Sequence, residues 1–268
     1  MHLERGFALT VAPRFHLPGA WPDRLRVNSG VEARGEHFSP RADWRLPAPE
    51  ELALLAGDDG APAAPDGFRR EALSLFHVPE HLRRRWWDLA ARQGNPAGID
   101  AEGFRAFLRG VVDFCRFKGL PLLATCAFDV VVTAPGRASI RVDAAAGCLA
   151  GLAFDLPPTC SVPLTEGPRP RPLGAVNLGD EATSLVLLNL PAARLQDRLG
   201  TVAGAPGGCP TLGELARRFL TSWPDYPLVR VLLRPGDGYW LPVGGVVTDG
   251  YTLDKQEPDV LLLVRQPG

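Results

Sequence analysis

The apolar segments of this chain are short and numerous. The longest unbroken runs, such as Leu185–Leu188 and Val260–Val264, have the length of a β-strand, whereas a membrane-spanning helix needs about 20 apolar residues. From residue 122 onward, such runs alternate with turns rich in Pro, Gly and Asp, which is the pattern of short antiparallel strands. This part of the chain therefore predicts an antiparallel sandwich, jelly roll or barrel.

The strand predictions in this part rest on apolar or alternating runs. The runs are Leu122–Thr133, Ala138–Val142, Cys148–Leu156, Leu173–Val176, Thr183–Leu190, Leu228–Leu233, Tyr239–Leu241, Val246–Asp249 and Asp259–Arg265. Thr183–Leu190 shows little alternation, which predicts that both of its faces are buried. Residues 191–222 predict a helical insert, since Pro191–Leu199 and Thr211–Leu220 carry helical patterns.

Helices are expected in residues 67–120. The apolar side chains of Phe68–Val78 recur at helical spacing, which predicts a first helix. Pro79 suits the first turn of a second helix, His81–Gln93, because its missing N–H is not needed there. Asp100 can cap a third helix. We expect this segment to form a helical layer that packs on the strands.

The N-terminal segment, residues 1–66, is rich in Pro and turns. It predicts only short strands, at Phe7–Val11 and Leu25–Asn28. The expected organisation is thus α+β in three parts. These are an N-terminal extension (1–66), a helical layer (67–120) and a β domain (121–268) that carries the helical insert 191–222.

Charge and cysteine content narrow the class of protein. The formal net charge is −1, with 46% hydrophobic and 22% charged residues, so no electrostatic excess favours nucleic acid or an anionic membrane as a partner. Residues 1–30 lack the apolar run of a signal peptide. The five cysteines are widely spaced, with no CxxC pair. These features predict a soluble cytoplasmic protein with free, buried thiols.

The segment Val229–Arg265 carries a resemblance to a known superfamily. It contains the turn Pro235-Gly236-Asp237, the apolar stretch Tyr239-Trp240-Leu241-Pro242 and a final strand that ends at Arg265. This succession resembles the closing strands of the double-stranded β-helix of cupins and iron(II)/2-oxoglutarate oxygenases. The resemblance implies an antiparallel double-stranded β-helix core with an N-terminal helical layer and a helical insert. It also implies that Arg265 grips a carboxylate.

The iron ligands of that superfamily have no counterpart at the matching positions. The family uses His-x-Asp/Glu and a distal His. This sequence has Asn177-Leu178-Gly179 and Val247-Thr248-Asp249 there, and no histidine follows His81. The resemblance therefore implies the fold without the usual metal site, and it leaves the cofactor and the catalytic residues open.

Seven residues form the candidate ligand-binding set. Asn177, Asp180 and Glu181 precede a buried strand; the two carboxylates suit metal binding or acid–base chemistry, and the same residues suit a solvated turn. Tyr239, Trp240 and Asp249, near Tyr251 and Asp254, suit the wall of a pocket, or Trp240 belongs to the core. Arg265 suits a carboxylate clamp or the surface. The set is Asn177, Asp180, Glu181, Tyr239, Trp240, Asp249 and Arg265.

Two further patterns in the helical layer have structural interpretations. His77 and His81 are spaced four apart, but Pro79 between them predicts a junction rather than a metal site. Arg83-Arg84-Arg85-Trp86-Trp87 mixes cations and aromatic rings, yet Leu82, Trp86 and Leu89 have core spacing.

Three functions remain open at this point. The first is a divergent fold of this superfamily that binds a small carboxylate-bearing ligand or a partner protein without a standard iron site. The second is a metal-dependent, oxygenase-like enzyme with atypical ligands. The third is a structural or assembly subunit.

Overall fold

A computed structural model describes residues 2–12, 14–34, 37–56, 72–93, 101–119, 127–136, 172–200, 212–242 and 246–265. The strands in these ranges are Ala8–Val11 (β1), Leu25–Val27 (β2), Val31–Arg34 (β3), His37–Pro40 (β4), Ala72–His77 (β5), Ala127–Thr133 (β6), Pro172–Asn177 (β7), Thr183–Leu188 (β8), Val229–Leu233 (β9), Asp237–Pro242 (β10), Val247–Tyr251 (β11) and Asp259–Arg265 (β12). The helices are Pro49–Leu55 (α1), Glu80–Gln93 (α2), Ala101–Phe117 (α3), Ala192–Gly200 (α4) and Leu212–Ser222 (α5), with a 3-10 turn at Trp21–Arg24.

Two facing sheets form the centre of the fold. The larger has six strands in the order β1-β5-β10-β7-β12-β6, and the smaller has four in the order β11-β8-β9-β2. Apolar side chains of both sheets meet in one cluster, with Leu75 and Leu241 from the larger sheet and Leu187 and Val231 from the smaller. Their burial removes apolar surface from water and holds the two sheets together.

Helices cover the outer faces of both sheets. Trp86 of α2 and Phe107 of α3 pack with Trp240 and Leu262 on the outer face of the six-stranded sheet. The helical insert lies on the other side, where α4 and α5 pack against the outer face of the four-stranded sheet. The expected α+β class with antiparallel sheets is confirmed, and the three-part domain division stays a prediction.

The prediction of a first helix at Phe68–Val78 is wrong, because the described part of this segment forms a strand. Ala72–His77 is strand β5, paired in parallel with β1 and antiparallel with β10. Leu75 faces the core between the sheets while Phe76 packs beneath the helices. Both faces of this inner strand are buried, and Ser74 is the only polar residue in the run Ala72–Phe76, whose apolar residues also fit helical spacing. Such a run does not distinguish a strand from a helix by periodicity alone.

Most other predicted elements are confirmed with small shifts of their ends. Thr183–Leu188 is a strand buried at every position, as its lack of alternation predicts. The strand predicted at Leu122–Thr133 is described from Ala127 onward, and the runs Ala138–Val142 and Cys148–Leu156 lie outside the described residues. Within the described ranges, the helices are too short or too polar to span a membrane.

Candidate functional site

Asn177, the last residue of β7, has a side chain that is fully buried and engaged in the protein's own turns. Its Nδ2 donates to the carbonyl oxygens of Glu181 and Leu233, each at 2.9 Å, and its Oδ1 accepts from the Gly179 N–H at 2.8 Å. These bonds close the β7–β8 turn and attach it to the end of β9. A buried amide needs such partners, so its geometry is that of a turn anchor.

The two carboxylates that follow are bound to neighbouring segments. Asp180 lies 2.5 Å from Arg83 of α2 and is 65% exposed. Glu181 accepts the backbone N–H groups of Gln256 and Glu257 at 3.0 and 2.9 Å, and these two bonds hold the pKa of its carboxyl below the ordinary range. Each carboxylate therefore ties this turn to another part of the fold.

The two aromatic candidates on β10 point to opposite sides of the sheet. Tyr239 belongs to the core between the two sheets, whereas Trp240 belongs to the cluster beneath α2 and α3. Trp240 packs against the backbone of Gly174 on β7, where a Cβ atom would lie 2.3 Å from its ring. The pleat of a strand sends neighbouring side chains to opposite faces, so these two residues do not share one pocket.

Asp249 lies on another face. Its side chain is buried and lies on the same side of β11 as those of Val247 and Tyr251, which face the α4–α5 layer. Tyr251 also packs on the guanidinium of Arg230, which lies 4.5 Å from the centroid of the tyrosine ring. Arg230 in turn binds Asp254 at 2.6 Å.

Arg265 ends β12, and its backbone pairs with Ala127 and Leu173; its side chain lies outside what the structure describes. The remaining candidates thus occupy separate surfaces: the β7–β8 turn, the inner core, the α2–α3 face and the α4–α5 face.

A different group of polar residues comes together at the start of β10. Asp237, only 1% exposed, sits directly after the tight turn at Gly236, which has φ of +84°. Its carboxylate receives a hydrogen bond from the Arg234 N–H at 2.7 Å and lies 2.9 Å from Nδ1 of His77 on β5. Arg24, from the 3-10 turn, donates its Nη1 to the same carboxylate.

We call Arg24, His77 and Arg234, arranged around Asp237, the basic cluster. Arg24 is as deeply buried as Asp237, and its Nη2 donates to the carbonyl of Pro18 at 2.6 Å. Burial, and then repulsion from Arg234, lower the pKa of Arg24 to about 10. This value still leaves the guanidinium charged at neutral pH. Asp237 therefore pairs with the Arg24 guanidinium, while the Arg234 guanidinium, which lies 3.4 Å from the Pro18 carbonyl, adds a second positive charge nearby.

His77 is the part of the cluster that is open to solvent, with a side chain 24% exposed. Burial lowers its pKa from the ordinary 6.5, and the charge of Arg24 lowers it further. The charge of Glu80 acts in the opposite direction but is the smaller effect. The imidazole is therefore neutral at neutral pH.

Hydrogen bonding determines which nitrogen of His77 carries the proton. An ionised carboxylate only accepts hydrogen bonds, so the atom that faces Asp237, Nδ1, is the donor. Nε2 then has a free lone pair. The arrangement can hold an anion through its cationic groups, and it can accept a proton at Nε2.

Sequence reasoning misses this cluster because its members are far apart along the chain. His77 and Asp237 are 160 positions apart, and Arg24 and Asp237 are 213 apart. The Pro-Gly-Asp turn is visible in the sequence, but the sequence gives its aspartate no role beyond that of a turn residue. His77 is considered only together with His81, which lies on α2 and not in the cluster.

A second buried ion pair lies at the same end of the sandwich. Lys255 binds Asp259 at 3.1 Å, and Asp259 also accepts from the Thr183 hydroxyl at 2.8 Å. The side chains of Lys255 and Asp259 are 4% and 0% exposed. They connect the β11–β12 loop to β8 and β12 without an opening to solvent.

The arginine- and tryptophan-rich segment of α2 contributes to the core, as its spacing predicts. Leu82 and Trp86 are buried, and Trp87 donates to the carbonyl of Leu178 at 2.9 Å. Across the described ranges, no three His, Cys, Asp or Glu residues are grouped so that they could hold a metal ion.

Comparison with known proteins gives one weak likeness. No protein-family model matches the chain, and no curated protein matches it. Three solved structures of the Kdo hydroxylase KdoO, a non-heme Fe(II) alphaketoglutarate dependent dioxygenase, are similar to it. They contain cobalt(II), succinate with Fe(III), and alphaketoglutarate with Fe(III), and their TM-scores are 0.38, 0.37 and 0.35.

Each comparison has 15% sequence identity and covers 72% of this chain and 78% of the other. This structural likeness is weak and partial, as is the resemblance seen in the sequence. A likeness of this degree assigns neither activity nor ligand to the chain.

Proposed function

We propose that this protein is a divergent double-stranded β-helix protein that binds a small carboxylate-bearing ligand at the basic cluster, without a standard iron site. The observation that carries the proposal is the charge of the cluster. The guanidinium of Arg24 pairs with the carboxylate of Asp237, and the guanidinium of Arg234 close to Arg24 has no carboxylate partner in the cluster, so the cluster has an excess positive charge that an anion would balance.

The order of the strands supports the β-helix. Strands β6 and β7 lie in the six-stranded sheet, β8 and β9 in the four-stranded sheet, β10 returns to the first, β11 to the second and β12 to the first. The chain thus passes repeatedly between two facing antiparallel sheets, as in a jelly roll. Strands β1 and β5 extend one sheet and β2 extends the other.

The donors of the cluster support recognition of a carboxylate. Arg234 has an exposed guanidinium close enough to Arg24 to lower its pKa. The Nε–H of Arg24 is buried and has no acceptor among the described residues. Arginine presents a planar fork of donors that matches the two oxygens of a carboxylate, and a partly open imidazole adds a third contact.

The histidines support binding without the usual iron triad. The chain has five, at positions 2, 16, 37, 77 and 81, so all of them precede the strands that resemble the family's metal-bearing ones. The segments that match the family's iron-ligand positions contain Asn177 and Asp249 instead of histidine. The amide of Asn177 is engaged in three hydrogen bonds within the protein.

Titration calorimetry tests the binding. Succinate and 2-oxoglutarate are the probes, and succinamide is the uncharged analogue of the first. We expect the acids to bind, the diamide not to bind, and Arg234→Gln to weaken the acids about tenfold or more. Arg218→Gln, an exposed arginine of α5, is the matched control. Equal binding of succinamide, or an unchanged affinity in Arg234→Gln, would contradict a carboxylate site at this cluster.

Metal analysis tests the second half of the proposal. Protein purified without chelator is expected to contain iron far below one equivalent and to bind succinate equally well before and after treatment with a chelator. Stoichiometric iron, or loss of binding after chelation, would replace this proposal with a metal-dependent one.

A further inference from the structure

We propose that a carboxylate binds at the basic cluster together with one proton, taken up at Nε2 of His77, so that the affinity increases as the pH decreases. The inference rests on the proposed carboxylate site and adds its regulation by pH. It is carried by the hydrogen bond between His77 and Asp237, which fixes the position of the first imidazole proton.

The geometry explains why a proton has to accompany the anion. Nδ1 of His77 lies 2.9 Å from Oδ1 of Asp237 and is the donor in that contact. The free site, Nε2, has a lone pair. A carboxylate oxygen placed against it would bring two lone pairs together, whereas one added proton converts the contact into a charge-assisted hydrogen bond.

The neighbouring groups leave His77 neutral before the anion arrives. The charged and titratable groups that face it are Asp237 on β10, Arg24 on the 3-10 turn, Glu80 and Arg83 on α2, and His16 in the N-terminal segment. Arg24, His16 and Arg83 oppose protonation of the imidazole, whereas Glu80 favours it. A bound carboxylate would add a negative charge beside His77 and shift this balance toward the protonated form.

Access is compatible with this role. Asp237 and Arg24 are each 1% exposed, but the His77 side chain is 24% exposed. The imidazole therefore connects a closed ion pair to solvent. A proton and a ligand can both reach it without opening the core of the sheets.

Binding linked to one proton has a defined dependence on pH. Between the pKa of free His77 and that of His77 in the complex, the association constant should change by about tenfold for each pH unit, and it should level off on either side of that range. At pH ~6 part of the succinate is still monoprotonated, but from pH ~7 to ~8 both of its carboxyl groups are ionised. Any slope in this range therefore reports on the protein.

Calorimetry with succinate at pH about 6, 7 and 8, each in two buffers of different ionisation enthalpy, measures both the affinity and the protons taken up. We expect close to one proton per bound anion at pH about 7.5 and a weaker affinity at each higher pH. The His77→Asn variant keeps a side-chain N–H for Asp237 but cannot titrate, so its affinity should not depend on pH. His81→Asn is the control that should retain the slope.

The imidazole C–H resonances of the wild-type protein provide a measurement that needs no variant. They should show that the His77 pKa rises from below 6.5 to ~8.5 or above when succinate is saturating. Succinate that binds with one affinity from pH about 6 to 8, without proton uptake, would overturn this inference and leave the carboxylate site standing. Absence of binding at every pH would overturn both.

Discussion

Arg24 and Asp237 form an ion pair in which each side chain is only 1% exposed. Arg24 immediately precedes β2 of the four-stranded sheet, and Asp237 begins β10 of the six-stranded sheet. The pair therefore ties the two sheets together at one end of the sandwich. An ion pair this deeply buried adds little net stability over an apolar pair of the same shape, but the loss of one partner leaves a buried, uncompensated charge.

Asp237→Asn should consequently be among the most destabilising conservative substitutions in the protein. We expect it to lower the free energy of unfolding by ~3–5 kcal/mol, because Arg24 would remain buried without its counter-ion. Urea unfolding followed by tryptophan fluorescence measures the change. Asp180→Asn is the control, since it removes a carboxylate from an exposed pair with Arg83 and should cost ~1 kcal/mol or less. Similar losses of unfolding free energy in the two variants would contradict a structural role of the Arg24–Asp237 pair between the sheets.

The pH dependence of stability should reveal His77. Its pKa in the folded protein lies below the ordinary 6.5, so at pH values near and below 6.5 the unfolded chain binds more protons than the folded one. Stability should therefore decrease as the pH falls through this range and recover as it rises. Urea midpoints at pH about 7.5 and about 5.5 measure the difference.

The His77→Asn variant separates this effect from other titrations. It cannot be protonated, so its urea midpoint should change less between the two pH values than that of the wild type. The exposed neighbour His81 supplies the control, and His81→Asn should behave as the wild type does. A steeper loss of stability in His77→Asn would show that the folded protein prefers the protonated imidazole.

The architecture was predictable from sequence where explicit turns bound an apolar run of strand length or where a helix has one apolar face. The strand Asp259–Arg265 and the helix that ends at Gln93 have the predicted bounds or nearly so. Strand β5 was not predictable, because burial of both faces removes the alternation of a strand and Ala72, Leu75 and Phe76 also fit helical spacing. Periodicity carries no information where there is no solvent-facing side.

The candidate site was less predictable than the fold, for a different reason. Residues close in sequence, such as Tyr239 and Trp240, were assigned to one pocket, but a strand sends them to opposite faces. The basic cluster needs the pairing of β5 with β10, in which His77 lies opposite Asp237. A single sequence contains no signal for that register.

The contact between Gly174 and Trp240 gives a test of how the sheet meets the helical layer. A Cβ atom at position 174 would lie 2.3 Å from the indole ring, so Gly174→Ala should displace Trp240 and lower the free energy of unfolding by ~1–3 kcal/mol. Gly200→Ala is the matched control, because outside its own helix no atom of the described residues lies within 4 Å of the added methyl group. Thermal unfolding of the two variants measures the difference. Equal melting temperatures would show that Trp240 and the helical layer accommodate the added methyl group without loss of stability.

Asn177 and Arg234 distinguish a turn anchor from a ligand contact. Asn177→Ala removes two donors and one acceptor from buried partners, and each partner left unsatisfied costs ~1–3 kcal/mol. We expect a large loss of stability with an unchanged affinity for succinate in the fraction that stays folded. Arg234→Gln should do the opposite, since its guanidinium is exposed. Calorimetry below the melting temperature of each variant measures both quantities, and an Asn177→Ala protein that folds normally but no longer binds succinate would move the ligand to the β7–β8 turn.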